Sequence, residues 1–383
     1  MATTLMMENK NRIQIFDIAK GISIILMTIS RYSFTEIYPT LLSFQNIVII
    51  FKMPSFIFIS GYLLSDHLNF KSFLYNKIDG LVKPLISFAF SLTLLNIILY
   101  IIVSNVVTLK GCLDYITNLA RAFYHGSFDV INVSFWFIGG LFLGQVSLKA
   151  FLGILKFNKP LNYLFLTLFL TVLLILTFIK IKFYWTEYIP IFFTYLFLGH
   201  IFNMIGAQYF NGTSFFYGKK MILFPILFFM SIVMCNKLNF TINFNISGLH
   251  FNYHYILLVS ILGIFSLLYL CRFIAKIPLI SSFLIYCSRA SFFILAYHIF
   301  IKDVFSTVFD LKSYNPTLHT LLFFLNIVLC CLIYMVLKRI PVVRIFFYPI
   351  KTIVLNDIEI MILKSKHVKK YIPRAILVST NVN

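Results

Sequence analysis

"KGISIILMTISRYSF" (Lys20–Phe34) decides how the chain is read. It closes the first long apolar run, yet it opens on a lysine and carries an arginine eleven residues later. On a helix, eleven residues make about three turns with a net rotation of roughly 20°, so Lys20 and Arg31 share one face about 16 Å apart. A helix facing lipid would not carry that pair. A charge in hydrocarbon is costly and turns toward the interior of a bundle or a water-filled cavity. The stretch therefore reads as one helix of a membrane-embedded bundle, with its cations turned inward.

The rest of the chain agrees. Of 383 residues, 60% are hydrophobic and 11% are charged, against about 25% charged in soluble domains. Apolar runs long enough to cross a bilayer recur from end to end. We read about ten of them, at roughly 13–31, 43–64, 82–103, 132–152, 161–180, 187–205, 220–236, 254–274, 281–301 and 319–338. The fold class is all-α: a polytopic integral membrane protein with about ten transmembrane helices. One membrane domain spans 12–338 and a basic tail spans 339–383, with no linker rich in Gly, Pro or Ser between them. Most cations between the spans fall on one side. They include Lys10, Arg12, Lys71, Lys77, Lys83, Lys219, Lys220, Arg272, Lys276 and the tail from Lys338 to Arg374. That bias, with an even number of spans, places both termini in the cytoplasm.

Several function classes drop out. The net charge of +20 is spread between apolar runs rather than gathered on a soluble face, so nucleic acid is not the expected partner. A cationic tail beside a membrane is explained by anionic headgroups. Six cysteines without C-x-x-C spacing read as small hydrophobes. His250 and His254 lie four apart but lack Cys or carboxylate company, so no metal site is expected. No phosphate-binding loop, dinucleotide fingerprint, nucleophile elbow or H-E-x-x-H motif occurs. Asp17 and Lys20 interrupt the first run, which argues against a secretory signal peptide.

Charges inside spans remain to be explained. Asp17 and Lys20, three apart, can pair on one helix face. Arg31, taken alone, also fits a side chain snorkelling to the interface. "FKMPSFIFISGYLLS" (Phe51–Ser65) carries Lys52 deep in the second span, two residues before Pro54. Proline leaves a backbone carbonyl for neighbours to satisfy, and Ser60 with Gly61 lets another helix come close. A lysine beside a broken helix points to a lined cavity. In "YCSRASFFILAYHIF" (Tyr286–Phe300), Ser291 and His298 stand seven apart on one face of the ninth span, with Arg289 toward the cytoplasmic end. A lone histidine often serves only packing, but it is also the usual proton-transfer group near neutral pH. Trp136, in "VSFWFIGGLF", fits an interfacial anchor as well as a site wall.

These residues resemble a known family. "FDIAKGISIILMTISR", "FKMPSFIFISGYLL", "KIDGLVKPLISF", "FWFIGGLF", "YIPIFFTYLFLGHIF" and "YCSRASFFILAYHIF" occur in the order found in the membrane-bound acyltransferase 3 family. The nearest flavour is the fucose 4-O-acetylase-like or O-antigen acetylase-like branch. The resemblance covers about 12–338 and implies an enzyme of the bacterial inner membrane. Such an enzyme moves an acyl group, often acetyl, from cytoplasmic acyl-CoA to a hydroxyl of a surface or lipid-linked glycan. It implies acyl-CoA as co-substrate and no permanently bound cofactor. The family's first helix carries a basic residue, ten intervening residues and a catalytic histidine; here Lys20 matches the first and Arg31 occupies the second. A histidine also commonly opens the family's Met-Pro motif, where this chain has Lys52. A guanidinium holds its proton near pH 7 and cannot accept another.

The expected catalytic residues are therefore Lys20, Arg31, Lys52 and His298, with His298 as the leading general base and desolvated Lys52 second. Arg31 and Lys20 would stabilise negative charge on the thioester oxygen or hold a donor phosphate. Lys77, Lys83 and Arg289 are expected to meet the donor's phosphates, a placement that the positive-inside bias explains equally well. Asp17, Ser60, Trp136 and Ser291 complete the expected site. Two other readings stay open: a family member that binds donor or glycan without transfer, and a transporter of an anionic saccharide.

Overall fold

The computed structural model describes residues 14–32, 34, 38–65, 68–104, 108–125, 134–155, 189–209, 218–237, 253–309 and 316–349. The expected span at 161–180, the N-terminal cations and most of the basic tail lie outside the described residues. Within the described residues every regular element is helical. They are α1 (Gln14–Ile29), α2 (Leu41–Tyr62), α3 (Phe70–Lys77), α4 (Lys83–Ser104), α5 (Leu109–His125), α6 (Phe135–Leu155) and α7 (Ile189–Tyr209). After them come α8 (Leu223–Lys237), α9 (Tyr253–Ile274), α10 (Pro278–Arg289), α11 (Ser291–Val308), α12 (Pro316–Arg339) and α13 (Pro341–Phe347).

Six helical segments among the described residues are long and apolar enough to cross a membrane: Phe44–Tyr62, Phe70–Val103, Phe135–Gly153, Tyr255–Ile274, Ser291–Val308 and Pro316–Arg339. The sequence leads one to expect more. Three of the expected runs show shorter apolar helices within the described residues, namely α1 at 16 residues, α8 at 15 and the Ile189–Met204 part of α7, each bordering residues outside the described set. Sixteen residues rise about 24 Å, so the described part of each covers most of the roughly 30 Å hydrocarbon core.

The expected ninth span differs in another way: it is two helices. Ala290 sits at φ −86°, ψ 5°, between the last residue of α10 and the first of α11. The break leaves no stray backbone group at this point. The Ala290 N–H donates to the Tyr286 carbonyl at 2.9 Å, and its own carbonyl accepts from the Ile294 N–H at 2.9 Å. Neither glycine nor proline marks the place, so the hydropathy pattern runs straight through it. A second irregularity has a covalent cause. Ile78–Val82 is a π-helical turn joining α3 to α4, immediately before Pro84. A proline ring clashes with the carbonyl four residues back, and a widened turn makes room for it.

α1 lies inside the bundle and packs against α2, α9, α10 and α11, while α2 packs against α1, α7 and α9. Glycine sets the closest crossing. A Cβ on Gly61 of α2 would stand 2.1 Å from the Leu196 carbonyl of α7, and one on Gly199 of α7 would stand 2.0 Å from the Phe58 carbonyl of α2. The two backbones therefore meet directly, the small-residue packing that membrane helices use. Around these crossings the core is aromatic, with Phe16, Phe88, Phe137, Phe192, Phe193 and Tyr195 fully enclosed.

Candidate functional site

The site assembles where the C-terminal end of α1 meets α2, α11 and α12. α1 stops at Ile29, and the chain turns with the Arg31 N–H bonded to the Thr28 carbonyl at 3.0 Å. Arg31 therefore lies past the helix end and is exposed. The shared face inferred for Lys20 and Arg31 does not reach the arginine, because the helix gives way to a turn first.

Three cations collect at this helix end. Lys52, on α2 and 4% exposed, donates from Nζ to Ser30 Oγ. Lys302, on α11, donates from Nζ to the Arg31 carbonyl at 2.6 Å and lies 5.9 Å from the centre of the Tyr32 ring. Arg31 is the third. The free carbonyls at a helix C-terminus carry partial negative charge, which suits cations there. Arg31 also acts electrostatically on both Lys52 and His298, and Lys302 acts on His298.

His298 stands near the middle of α11 and is 1% exposed. Its Nδ1 lies 2.7 Å from the Ile294 carbonyl and 3.1 Å from the Leu295 carbonyl. A carbonyl can only accept, so Nδ1 carries the proton, and in the neutral ring Nε2 presents its lone pair. That Nε2 is enclosed and has no hydrogen-bond partner among the described residues. Buried polar atoms are nearly always satisfied, so an exception of this kind needs a reason.

Asn326 of α12 holds the assembly together. Its Nδ2 donates to the His298 carbonyl at 2.8 Å and to Tyr32 Oη, and its Oδ1 accepts from Cys330 Sγ at 3.4 Å. One amide thus ties the turn that bears His298 to the residue after Arg31. Burial pushes the Tyr32 phenol well above its ordinary range, so it stays neutral in this contact. Beside the cluster, a cavity of about 450 Å³ opens between α1, α2 and α12, with Ser30 in its wall.

The other expected residues sit elsewhere. Lys20 lies over the Phe56 ring at 5.3 Å, and Asp17 is buried one turn before it on α1. Ser60 donates to the Phe56 carbonyl at 2.8 Å. Trp136 opens α6 and packs edge-on against Phe137 and Phe192, with ring centres 6.1 and 6.0 Å away. Ser291 is buried at the first position of α11, and Arg289 is exposed at the end of α10. The break at Ala290 puts these two on different helices, so only Ser291 shares a helix with His298. Lys83 forms an ion pair with Asp79 on the π turn. Lys77 lies 5.2 Å over the Phe73 ring, and Lys149 of α6 lies 5.7 Å over the same ring. Lys149 also donates to the Ser65 carbonyl at 3.2 Å.

Lys302, Asn326, Tyr32 and Lys149 escape sequence reasoning. Asn326 carries a signal that was available: an amide within "FFLNIVLCC", where a polar group in a span usually bonds to another helix. The lysines register in sequence only as contributions to the charge bias.

The acyltransferase 3 family model, described as "Acyltransferase domain", matches residues 13–336. No curated protein and no solved structure matches the chain.

Proposed function

The chain belongs to the acyltransferase 3 family, and from that premise we propose that it moves an acyl group, in the first instance acetyl, from cytoplasmic acyl-CoA to a hydroxyl of a surface or lipid-linked glycan. Its place would be the inner membrane of a bacterium. The observation that carries this reading is the enclosed, unpartnered Nε2 of His298 beside the cations at the end of α1.

The step balances on this chain's own groups. The acceptor hydroxyl gives its proton to Nε2 while its oxygen attacks the thioester carbonyl. A C–O bond forms, and negative charge gathers on the carbonyl oxygen within reach of the Arg31 charge. The C–S bond then breaks, and the leaving thiolate takes the proton back from Nε2. Products are an ester and free CoA. Donation from Nδ1 to the Ile294 carbonyl keeps the ring in the tautomer that this sequence needs. Lys52 donates to Ser30, which fits a charge-bearing and orienting part better than that of the base. Lys20 lies farther along α1 and would meet the donor. Lys77, Lys83 and Arg289 would meet its phosphates, joined by Lys149, which shares the Phe73 ring with Lys77. Asp17, Ser60, Trp136 and Ser291 would form the walls between the two ends.

Disrupting the gene and analysing surface glycans by mass spectrometry tests the reading. Loss of a defined acyl ester, restored by the intact gene and not by a His298→Ala copy, is expected. An unchanged ester pattern in a host that carries such groups overturns it.

A further inference from the structure

The cavity at the end of α1 joins two properties that one ligand class satisfies. Its volume is about 450 Å³, ample for a ligand much larger than an acetyl group. Leu26 and Ile29 of α1, Val48 of α2 and Phe323 of α12 line it. Phe44 and Phe324, also in its wall, are 51% and 58% exposed. Large apolar side chains at an opening within spanning helices face hydrocarbon, so the cavity opens sideways into the bilayer.

The second property is charge. Ser30, in the cavity wall, accepts from Lys52, and its neighbour Arg31 accepts from Lys302 through its carbonyl. Asp303, exposed on α11, acts on Lys302 and on Tyr32. His298, also turned to this cluster, adds no negative charge. The three cations do not line the cavity itself but gather behind and beyond Ser30, with Lys52 buried and Arg31 exposed, and a guanidinium with two ammonium groups matches a phosphate at the cavity's mouth.

We propose that this cavity holds the hydrocarbon chain of an anionic lipid whose phosphate rests against Arg31, Lys52 and Lys302, and that a saccharide carried on such a lipid is the acceptor. The second half rests on the acyl-transfer reading above; the first does not. With both termini cytoplasmic and α1 crossing the bilayer, as the cation bias of the sequence predicts, this end of α1 lies away from a cytoplasmic donor, which favours the acceptor's chain over a long transferred acyl group.

The test uses the full chain in phosphatidylcholine nanodiscs and a long-chain alkyl phosphate with a diazirine midway along the chain. After illumination, labelled peptides are sequenced. Label is expected on the facing segments of α1, α2 and α12, competed by the plain alkyl phosphate and not by the alcohol of the same chain or by inorganic phosphate. Arg31→Gln, at an exposed position, and Leu26→Trp, which fills the cavity, should each lower labelling about tenfold. Competition by the alcohol equal to that by the alkyl phosphate overturns the anion site. Competition by inorganic phosphate alone shows a free-anion site and overturns the lipid. Label spread evenly over lipid-facing helices, or unchanged in both variants, overturns the cavity. CoA release from acyl-CoA is read on the same preparation. Labelling that stands without any CoA release sinks the transfer reading alone, and turnover without labelling sinks this one alone.

Discussion

Replacing Asn326 with leucine keeps a similar branched shape and removes three hydrogen bonds, two of them to distant segments of the chain. The amide donates to the His298 carbonyl and to Tyr32 Oη across helices. A typical buried hydrogen bond nets about 0.5–1.5 kcal/mol, and interhelical bonds in membrane proteins average near the low end, about 0.6 kcal/mol. Two such bonds give a loss of about 1–2 kcal/mol, well short of the roughly 3–5 kcal/mol of a large core truncation. Function should suffer more than stability. Asn326 reaches the reaction only through His298, and a displacement of about 1 Å at a reacting group can cost about a hundredfold in rate. We expect Asn326→Leu in detergent to unfold at slightly lower denaturant, with kcat down tenfold or more (about 10–100-fold) and KM for acyl-CoA unchanged. Unfolding and initial rates on one preparation decide it. An unchanged kcat alongside the stability loss would reduce Asn326 to packing and refute the positioning argument.

Other changes separate geometry from residue type. Gly61→Val drives a Cβ into the Leu196 carbonyl at 2.1 Å, so it should cost about 3 kcal/mol or more and show as poor yield or early melting. Gly153→Ala, with nothing within 4 Å of the added carbon, should be neutral or gain up to about 1 kcal/mol. Equal melting of the two variants would contradict the α2–α7 crossing. Lys149→Ala should raise KM for acyl-CoA about tenfold with kcat nearly unchanged, and added salt should shrink the difference. A kcat loss at constant KM would move Lys149 out of the donor site.

The membrane class was legible because composition and run length are properties of the chain read in order. So was the enclosure of Lys52 and His298, each an ionisable group in an apolar frame. What stayed hidden depends on where helices stop and which of them meet. Arg31 was expected on the face of Lys20, but α1 ends at Ile29 before reaching it. The break at Ala290 carries no glycine or proline, so a window average crosses it unseen. Asn326 and Tyr32 stand 294 residues apart, and no local pattern brings them together. Hydropathy also counts α1, α7 and α8 as spans, and among the described residues each shows an apolar helical stretch of only 15 or 16 residues.

The proton acceptor is the point on which the account turns. Purified protein with acyl-CoA and a glycan extract from its own host should release CoA in step with ester formed on the glycan, both followed by mass spectrometry. His298→Gln, shown by its melting curve to be folded, should lower that acceptor-dependent rate about a hundredfold or more. A folded His298→Gln protein that releases CoA and esterifies the glycan at the parent rate would contradict the claim that Nε2 takes the proton.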